Sequence, residues 1–390
     1  MNVLCLDQFA NIGGGQRSLL DLLPAFSARG WHPIVTAPGY GPFPETVRKL
    51  GFRTHELPYE EYTSGDKSLP QLLRYARHLP RTSLSLMKLA RKLDAGLLYV
   101  NGPRLMPPAA LTGRLMEIPI VFHCHNRLFQ GSAITLTGRS LELARADVIA
   151  CCEYVAVPLR KFLDRSRLSV IYNGVEKVRE ASCRHRSGPP RVGVVGRIES
   201  EKGQLEFVEA ARRVTKRIPN CRFAIIGAPM FSGDSYYKKV VAASAGLAVE
   251  FSGWQDDISR IFANLDLLVV PSTPVEATTR VILEAYSAGV PVAAFACGGI
   301  PEVVRNNETG FLAGDRTPEG LADCIVSALE THPTAIAEVT NRARAYWSGN
   351  FRLDAYREKV CAVIDDAVRR RIQSPGLPYV STDKGAEYFD

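Results

Sequence analysis

Two glutamates, Glu276 and Glu284, are separated by seven residues in PSTPVEATTRVILEAYSAGVPV, and the stretch ACGGIPEV carries Gly298, Gly299 and Glu302 soon after. If a helix starts near Thr278, Glu276 lies in the loop before it and Glu284 about two turns in. The two carboxylates then address different parts of one extended ligand. A carboxylate accepts two oriented hydrogen bonds, which suits sugar and ribose hydroxyls. Upstream, VVGRIESEKGQ supplies Arg197 and Lys202. Their charges suit a pyrophosphate, although solvated surface charges would look the same. Gly227 closes FAIIGAP, Gly253 and Trp254 sit in FSGWQDDI, and Gly298-Gly299 stand before another helical pattern. Free N–H groups at such a glycine pair suit phosphate. Glu302 fits a helix N-terminal carboxylate better than a ligand contact.

These residues need elements to hold them. Short β-rich runs alternate with longer helical patterns almost throughout. The expected strands of the first half are 3–6, 33–37, 52–57, 96–100, 119–124, 148–151 and 168–172. The polar, basic stretch 179–190 breaks the rhythm and ends in Gly-Pro-Pro, as a linker does. Strands are expected again at 191–196, 221–227, 249–253, 265–271 and 290–296. Repeated β-α units at this spacing predict an α/β protein with two doubly wound parallel sheets, over 1–178 and 191–350. Ligands of such sheets bind at the carboxyl ends of the strands, where each feature above falls. A last helix is expected over 353–372 and a mobile tail over 373–390.

A third glycine feature follows the first strand, Asn11-Ile12-Gly13-Gly14-Gly15-Gln16, and opens a helix. Its amides, with the helix dipole, suit a phosphate. The other reading is a tight turn with no ligand. It is neither a P-loop nor G-x-G-x-x-G, which disfavours a nicotinamide dehydrogenase.

Composition narrows the class. The chain has 390 residues, enough for two domains, with 46% hydrophobic and 23% charged residues and a net charge of +8. Mild basicity fits an anionic partner. No aromatic-basic platform appears, so nucleic acid is not expected. The nine cysteines form no C-x-x-C pair and several sit in apolar runs, which reads as a reducing compartment with buried thiols. The N-terminus shows no secretory leader and no run is long enough to span a bilayer. The expected location is cytoplasmic, soluble or peripheral on the inner face of the membrane.

The string E-ATTRVIL-EA followed by GGIPE, together with VGRIESEKG, YNGV (172–175) and the early GGG loop, resembles the retaining GT-B glycosyltransferases of the family 4 type, the glycosyl transferases group 1. The resemblance runs from Asn2 to about Ile372. It implies a GT-B fold of two Rossmann-like domains facing across a cleft, with the C-terminal helix returning to the first. It also implies transfer from a UDP- or GDP-sugar with retention, without a metal or other cofactor. On this resemblance Glu284 would hold the donor ribose and Glu276 the donor sugar, Arg197 and Lys202 would face the diphosphate, and Gly14 and Gly15 would cap it. Gly227 and Gly299 would complete the donor pocket, with Thr279 beside the sugar. His125, in VFHCHN, would contact the transferred sugar. His123 is expected on the opposite strand face, and buried. The sequence departs from the family at Ala277-Thr278-Thr279, where an aromatic and a glycine are common, and at Asn126, where Asp is common.

The expected acceptor is a saccharide or lipid-linked saccharide. In the basic helical stretch 74–96, Leu86, Leu89, Ala90 and Leu93 share one face, and Arg81, Lys88, Arg91 and Lys92 the other. That polar face is either a solvated outer surface or one that rests on anionic lipid. A different class of function, a non-catalytic scaffold that binds nucleotide-sugar on the same fold, is also compatible with the sequence.

Overall fold

The structure is a computed structural model, and it describes residues 1–57, 69–179, 188–230 and 234–373. Two wholly parallel sheets carry the molecule. The first holds β1 (Asn2–Leu6), β2 (His32–Ala37), β3 (Arg53–Glu56), β4 (Ala95–Val100), β5 (Ile120–Cys124), β6 (Asp147–Ala150) and β7 (Leu168–Val170), in the spatial order β3-β2-β1-β4-β5-β6-β7. The second holds β8 (Arg191–Val195), β9 (Arg222–Ile226), β10 (Val249–Phe251), β11 (Leu267–Val270), β12 (Val292–Ala294) and β13 (Phe311–Leu312), in the order β10-β9-β8-β11-β12-β13. In each sheet the chain winds one way, crosses back and winds the other. The reversal falls between β1 and β4, and between β8 and β11. Brought together at the carboxyl ends of these strands, loops from both directions leave a crevice.

Burial on both faces explains the apolar strand sequences. In β1, Val3 and Cys5 pack on one face of the first sheet, while Leu4 and Leu6 pack on the other. The first of these faces is filled by the helices Gly14–Ala28 and Leu353–Gln373, through Leu19, Leu22, Phe26, Tyr356, Val360 and Ile364. The C-terminal helix thus packs on the first sheet, and Arg29 anchors it with ion pairs to Glu358 and Asp365 at 2.5 Å each. The opposite face receives Leu86, Ala90 and Leu93 of the helix Leu69–Lys92. Arg81, Lys88, Arg91 and Lys92 are exposed, so the amphipathic pattern of that helix is real.

The chain passes between the sheets twice, side by side. Val175 N–H donates to Phe351 O at 3.0 Å, and Leu353 N–H to Val175 O at 3.1 Å. The expected strands all form, and β13 is an addition. Two residues are too short to show a period. The eight described cysteines are free and buried. Cys183, most of the expected linker and all but the first residue of the expected tail lie outside the described residues. Among the described residues, no helix is long and apolar enough to cross a membrane.

Candidate active site

Both chain reversals carry the chemistry-bearing residues. In the second sheet, the loop after β8 presents Arg197 and Lys202, and the loop after β11 presents Glu276. Lys202 Nζ is ion-paired with Glu276 Oε2, and Ser272 Oγ donates to the same oxygen at 3.0 Å. Arg197 Nη2 lies 3.5 Å from Glu201 Oε1. Burial pushes the Glu276 carboxyl up, but the Lys202 charge and hydrogen bond, Ser272 and Arg197 outweigh it and hold the group below its ordinary range. Glu276 is therefore a carboxylate with one oxygen already engaged by a cation.

The helix over Arg280–Ala288 starts two residues later than expected, with Thr279 as its N-cap and no hydrogen bond from the Thr279 side chain to the cap. Glu284 consequently sits one turn in, not two. Its carboxyl is pushed up by burial, against the opposing pull of Arg280 and Arg17. Arg280 Nε stands 4.0 Å from Glu284 Oε1, and Arg280 Nη2 reaches Asp21 of the helix Gly14–Ala28 at 2.8 Å. Arg280 also donates to Gly174 O at 3.2 Å. Sequence reading passed over Arg280, although its position four residues before Glu284 on one helical face was a usable signal.

Two glycine assignments need correction. The Gly299 N–H is not free for phosphate: it donates to Glu276 O at 3.1 Å. A Cβ on Gly298, whose φ is +57°, would fall 1.8 Å from the same carbonyl. The Gly-Gly pair lets two strand-end loops touch, and so sets the backbone of Glu276. Gly227 is similar. Its N–H donates to Gly253 O at 2.8 Å, and a Cβ there would lie 1.8 Å from Gly196 O. Both glycines shape the pocket through backbone contact.

In the first sheet, Gly14 and Gly15 lie in the first turn of their helix, where backbone amides have no intrahelical acceptor. A Cβ on Gly15 would stand 2.9 Å from His125 Cδ2, so the glycine loop and His125 are in direct contact. His125 Nε2 is 2.7 Å from Asn101 Oδ1. Burial first, then the Arg280 charge, lower the His125 pKa to about 3, so the imidazole is neutral at physiological pH. His123 is buried as expected, but it is not on the opposite face. Its ring centroid lies 4.0 Å from that of His125. Residues two apart in a strand share a face, and these two follow that rule.

The two sheets are joined beside this site. Glu302 accepts hydrogen bonds from Glu153 N–H at 2.8 Å, Tyr154 N–H at 2.7 Å and the Tyr172 hydroxyl at 2.8 Å. It is a helix N-terminal carboxylate, as its sequence suggests, in the first turn of its own helix Ile300–Val303 and at the N-terminus of the helix Glu153–Ala156 of the other sheet. Glu302→Ala should strand those donors, cost about 1–2 kcal/mol and speed hydrogen exchange at the Glu153 and Tyr154 amides. Unchanged exchange there would show that the clasp does not persist in solution. A cavity of about 760 Å³ lined by Glu153, Arg160, Lys161, Arg165 and Leu168 lies beside β7, at an edge of the first sheet. Among the described residues no cluster of His, Cys, Asp or Glu could hold a metal ion.

Known proteins resemble the chain across both halves. Residues 12–179 match the family model described as Glycosyltransferase Family 4, and residues 189–331 match that described as Glycosyl transferases group 1. The glycogen synthase of Mycobacterium tuberculosis is 25% identical, with 95% of each chain covered. A phosphatidyl-myo-inositol mannosyltransferase of the same organism is 25% identical over 85% of this chain and 87% of its own. Among solved structures, HepE of Anabaena in complex with UDP superposes with a TM-score of 0.77 at 23% identity, covering 94% of this chain and all of its own. Two parallel sheets that each reverse, Glu276 ahead of the helix that carries Glu284, and both family matches place this chain among the group 1 glycosyltransferases, with a GT-B fold.

Proposed function

We propose that the protein transfers a sugar, with retention of anomeric configuration, from a UDP- or GDP-sugar to a saccharide or lipid-linked saccharide acceptor in cell-surface glycan synthesis. The observation that carries the reading is the buried Lys202–Glu276 pair with Arg197 beside it, at the reversal of the second sheet. A donor diphosphate entering there draws Lys202 and Arg197 to itself and releases the Glu276 oxygen for a sugar hydroxyl. Glu284 takes the ribose, and the amides of Gly14 and Gly15 approach the phosphate from the other sheet. The UDP bound by HepE is compatible with this donor class.

In the reaction, the bond between the sugar's anomeric carbon and the diphosphate oxygen breaks, and the electron pair leaves with the diphosphate. The acceptor oxygen bonds to that carbon on the same face, and its proton passes to the departing phosphate. Arg197 and Lys202 stabilise the charge that develops, without a metal. A His125 imidazole held at about 3 is a poor base for the acceptor proton, which favours the phosphate in that role. His125 is left to hydrogen-bond the sugar.

Release of nucleoside diphosphate from a panel of UDP- and GDP-sugars, with and without acceptor, tests the proposal. His125→Ala and Glu276→Ala should each lose about a hundredfold or more in kcat/KM. Wild-type turnover by both would remove the assignment.

A lipid-linked acceptor fits the outer face of the first domain. Leu73 and Leu84 are 63% and 56% exposed on the helix Leu69–Lys92, and Leu115 is 62% exposed on the neighbouring helix Met106–Met116. With Arg81, Lys88 and Arg91 they make a surface suited to anionic lipid. Binding to vesicles containing phosphatidylglycerol should weaken with salt, and Lys88→Gln with Arg91→Gln should lower it about thirtyfold. No binding at low salt would remove the membrane from the proposal.

A further inference from the structure

Beneath the glycine loop lies a buried polar network that connects it to His125. Asp7, at the carboxyl end of β1, is fully buried. Its Oδ1 accepts from Phe9 N–H at 2.9 Å and Gln16 Nε2 at 2.8 Å, and its Oδ2 accepts from Asn101 Nδ2 at 2.6 Å. Asn101, at the end of β4, also donates from Nδ2 to Gly15 O at 3.1 Å. Gln16 in turn accepts from Gly13 N–H at 3.0 Å through its Oε1. The strands involved, β1 and β4, are those that flank the chain reversal of the first sheet.

Hydrogen-bond directions select one tautomer of the neutral His125 ring. A carboxylate and a backbone carbonyl only accept, so both Nδ2 hydrogens of Asn101 are committed to Asp7 and Gly15. A flipped amide would turn its oxygen against two other acceptors. Asn101 Oδ1 therefore faces His125 Nε2 as an acceptor, and the neutral imidazole must carry its proton on Nε2. The lone pair is left on Nδ1.

We propose that Asp7 and Asn101 are positioning residues that fix His125 as its Nε2–H tautomer and tie its ring to the phosphate-facing glycine loop. The relevance to turnover rests on the proposed role of His125 at the sugar. The tautomer itself does not. An Nε2–H imidazole offers the substrate an acceptor at Nδ1, whereas the other tautomer would offer a donor. In the other tautomer Nε2 would set a lone pair against Asn101 Oδ1, and the polarity offered to a hydroxyl at Nδ1 would be reversed. Because Gly15 O and Gly13 N–H belong to the same network, a phosphate that shifts the glycine loop also loads the clamp on His125.

Long-range proton–nitrogen NMR of histidine-labelled full-length protein tests the proposal, with His125→Gln to assign the signal among the seven histidines. The wild type should show His125 protonated on Nε2. Asp7→Asn, which lets the amide at 101 reorient, and Asn101→Ser, which removes the clamp, should each give a mixture of tautomers, with kcat at least about tenfold lower and donor KM little changed. Because Asp7→Asn could unfold the chain, the wild-type spectrum and Asn101→Ser each stand as a test alone. A wild-type Nδ1–H or doubly protonated ring at neutral pH would overturn the proposal, as would an Nε2–H signal that persists in both variants. If the tautomer shifts but His125→Ala turns over normally, the clamp stands and the reading of His125 as a sugar contact falls.

Discussion

Lys202→Ala should lower kcat/KM by about a hundred- to a thousandfold, and should also destabilise the unliganded protein. The two effects have one origin. Lys202 and Glu276 have side-chain exposures of 20% and 12%, so each is largely removed from water and each compensates the other. Deleting the cation leaves a buried carboxylate with only the Ser272 hydroxyl on that oxygen. Breaking such a pair costs about 2–4 kcal/mol, at the lower side of the range for buried pairs because some water contact remains. The pH dependence fixes the sign. In the wild type the Glu276 pKa lies below the ordinary 4.5, so its contribution to stability is present above that value and fades as pH falls below it. In the variant the main lowering influence is gone and burial dominates, so the pKa lies above 4.5 and the ionised form is a burden at neutral pH. The melting-temperature gap between wild type and variant should therefore be widest near pH 7 and narrow toward pH 4. A gap that widens on acidification would show that Glu276 is not the group left exposed to burial. Lost turnover with unchanged stability would place Lys202 on the diphosphate alone.

The parts of the site that the sequence made legible are those carried by local pattern. Apolar runs buried on both faces identify parallel strands, and strand ends identify where loops gather. Arg197, Lys202 and Glu276 could be located in this way because each lies within seven residues of such an end, and Glu284 through its spacing from Glu276. The residues that escaped notice owe their partners to tertiary crossing. Asp7 meets Asn101 only because β1 and β4 become neighbours across the reversal, and nothing near either residue in the chain predicts it. The reading of free amides at Gly227 and Gly299 failed for a related reason. Glycine at Gly227 or Gly298 permits close approach by something, and the sequence does not distinguish a phosphate from the carbonyl of an adjoining loop. For His123 the period-two rule was available and would have put it beside His125. Ala277 illustrates a departure with a packing role. It lies in the Ala277-Thr278-Thr279 stretch and is buried in the core cluster of the first domain, so this loop seals the junction of the domains.

Arg280→Ala should have the largest effect on stability among the residues around the cleft that sequence reading did not single out. Its guanidinium reaches from the start of the helix Arg280–Ala288 across the junction to Asp21, and to Gly174 O in the connection between the domains. Asp21 and Glu284 are both mostly buried, and burial raises both carboxyls while Arg280 opposes the rise. Without Arg280 neither has this cation, and the helix that begins at the glycine loop is no longer tied to the donor-side helix. We expect a loss of about 2–4 kcal/mol in chemical denaturation. Both carboxyls then titrate higher, so the deficit should shrink as pH falls through their raised range. Arg280→Lys separates charge from geometry. A lysine keeps one contact, but its single ammonium cannot reach Asp21 and the Gly174 carbonyl with a planar fork. It should recover only part of the stability, because it cannot hold Asp21 and the Gly174 carbonyl together. On the proposed role of Glu284 at the ribose, Arg280→Ala should bind nucleoside diphosphate about tenfold more weakly in calorimetric titration, since only an ionised carboxylate accepts hydroxyls in pairs. Wild-type affinity together with wild-type stability would mean that the bridge from Arg280 to Asp21 contributes nothing in solution. Weakened stability with wild-type affinity would confine Arg280 to holding the domains together.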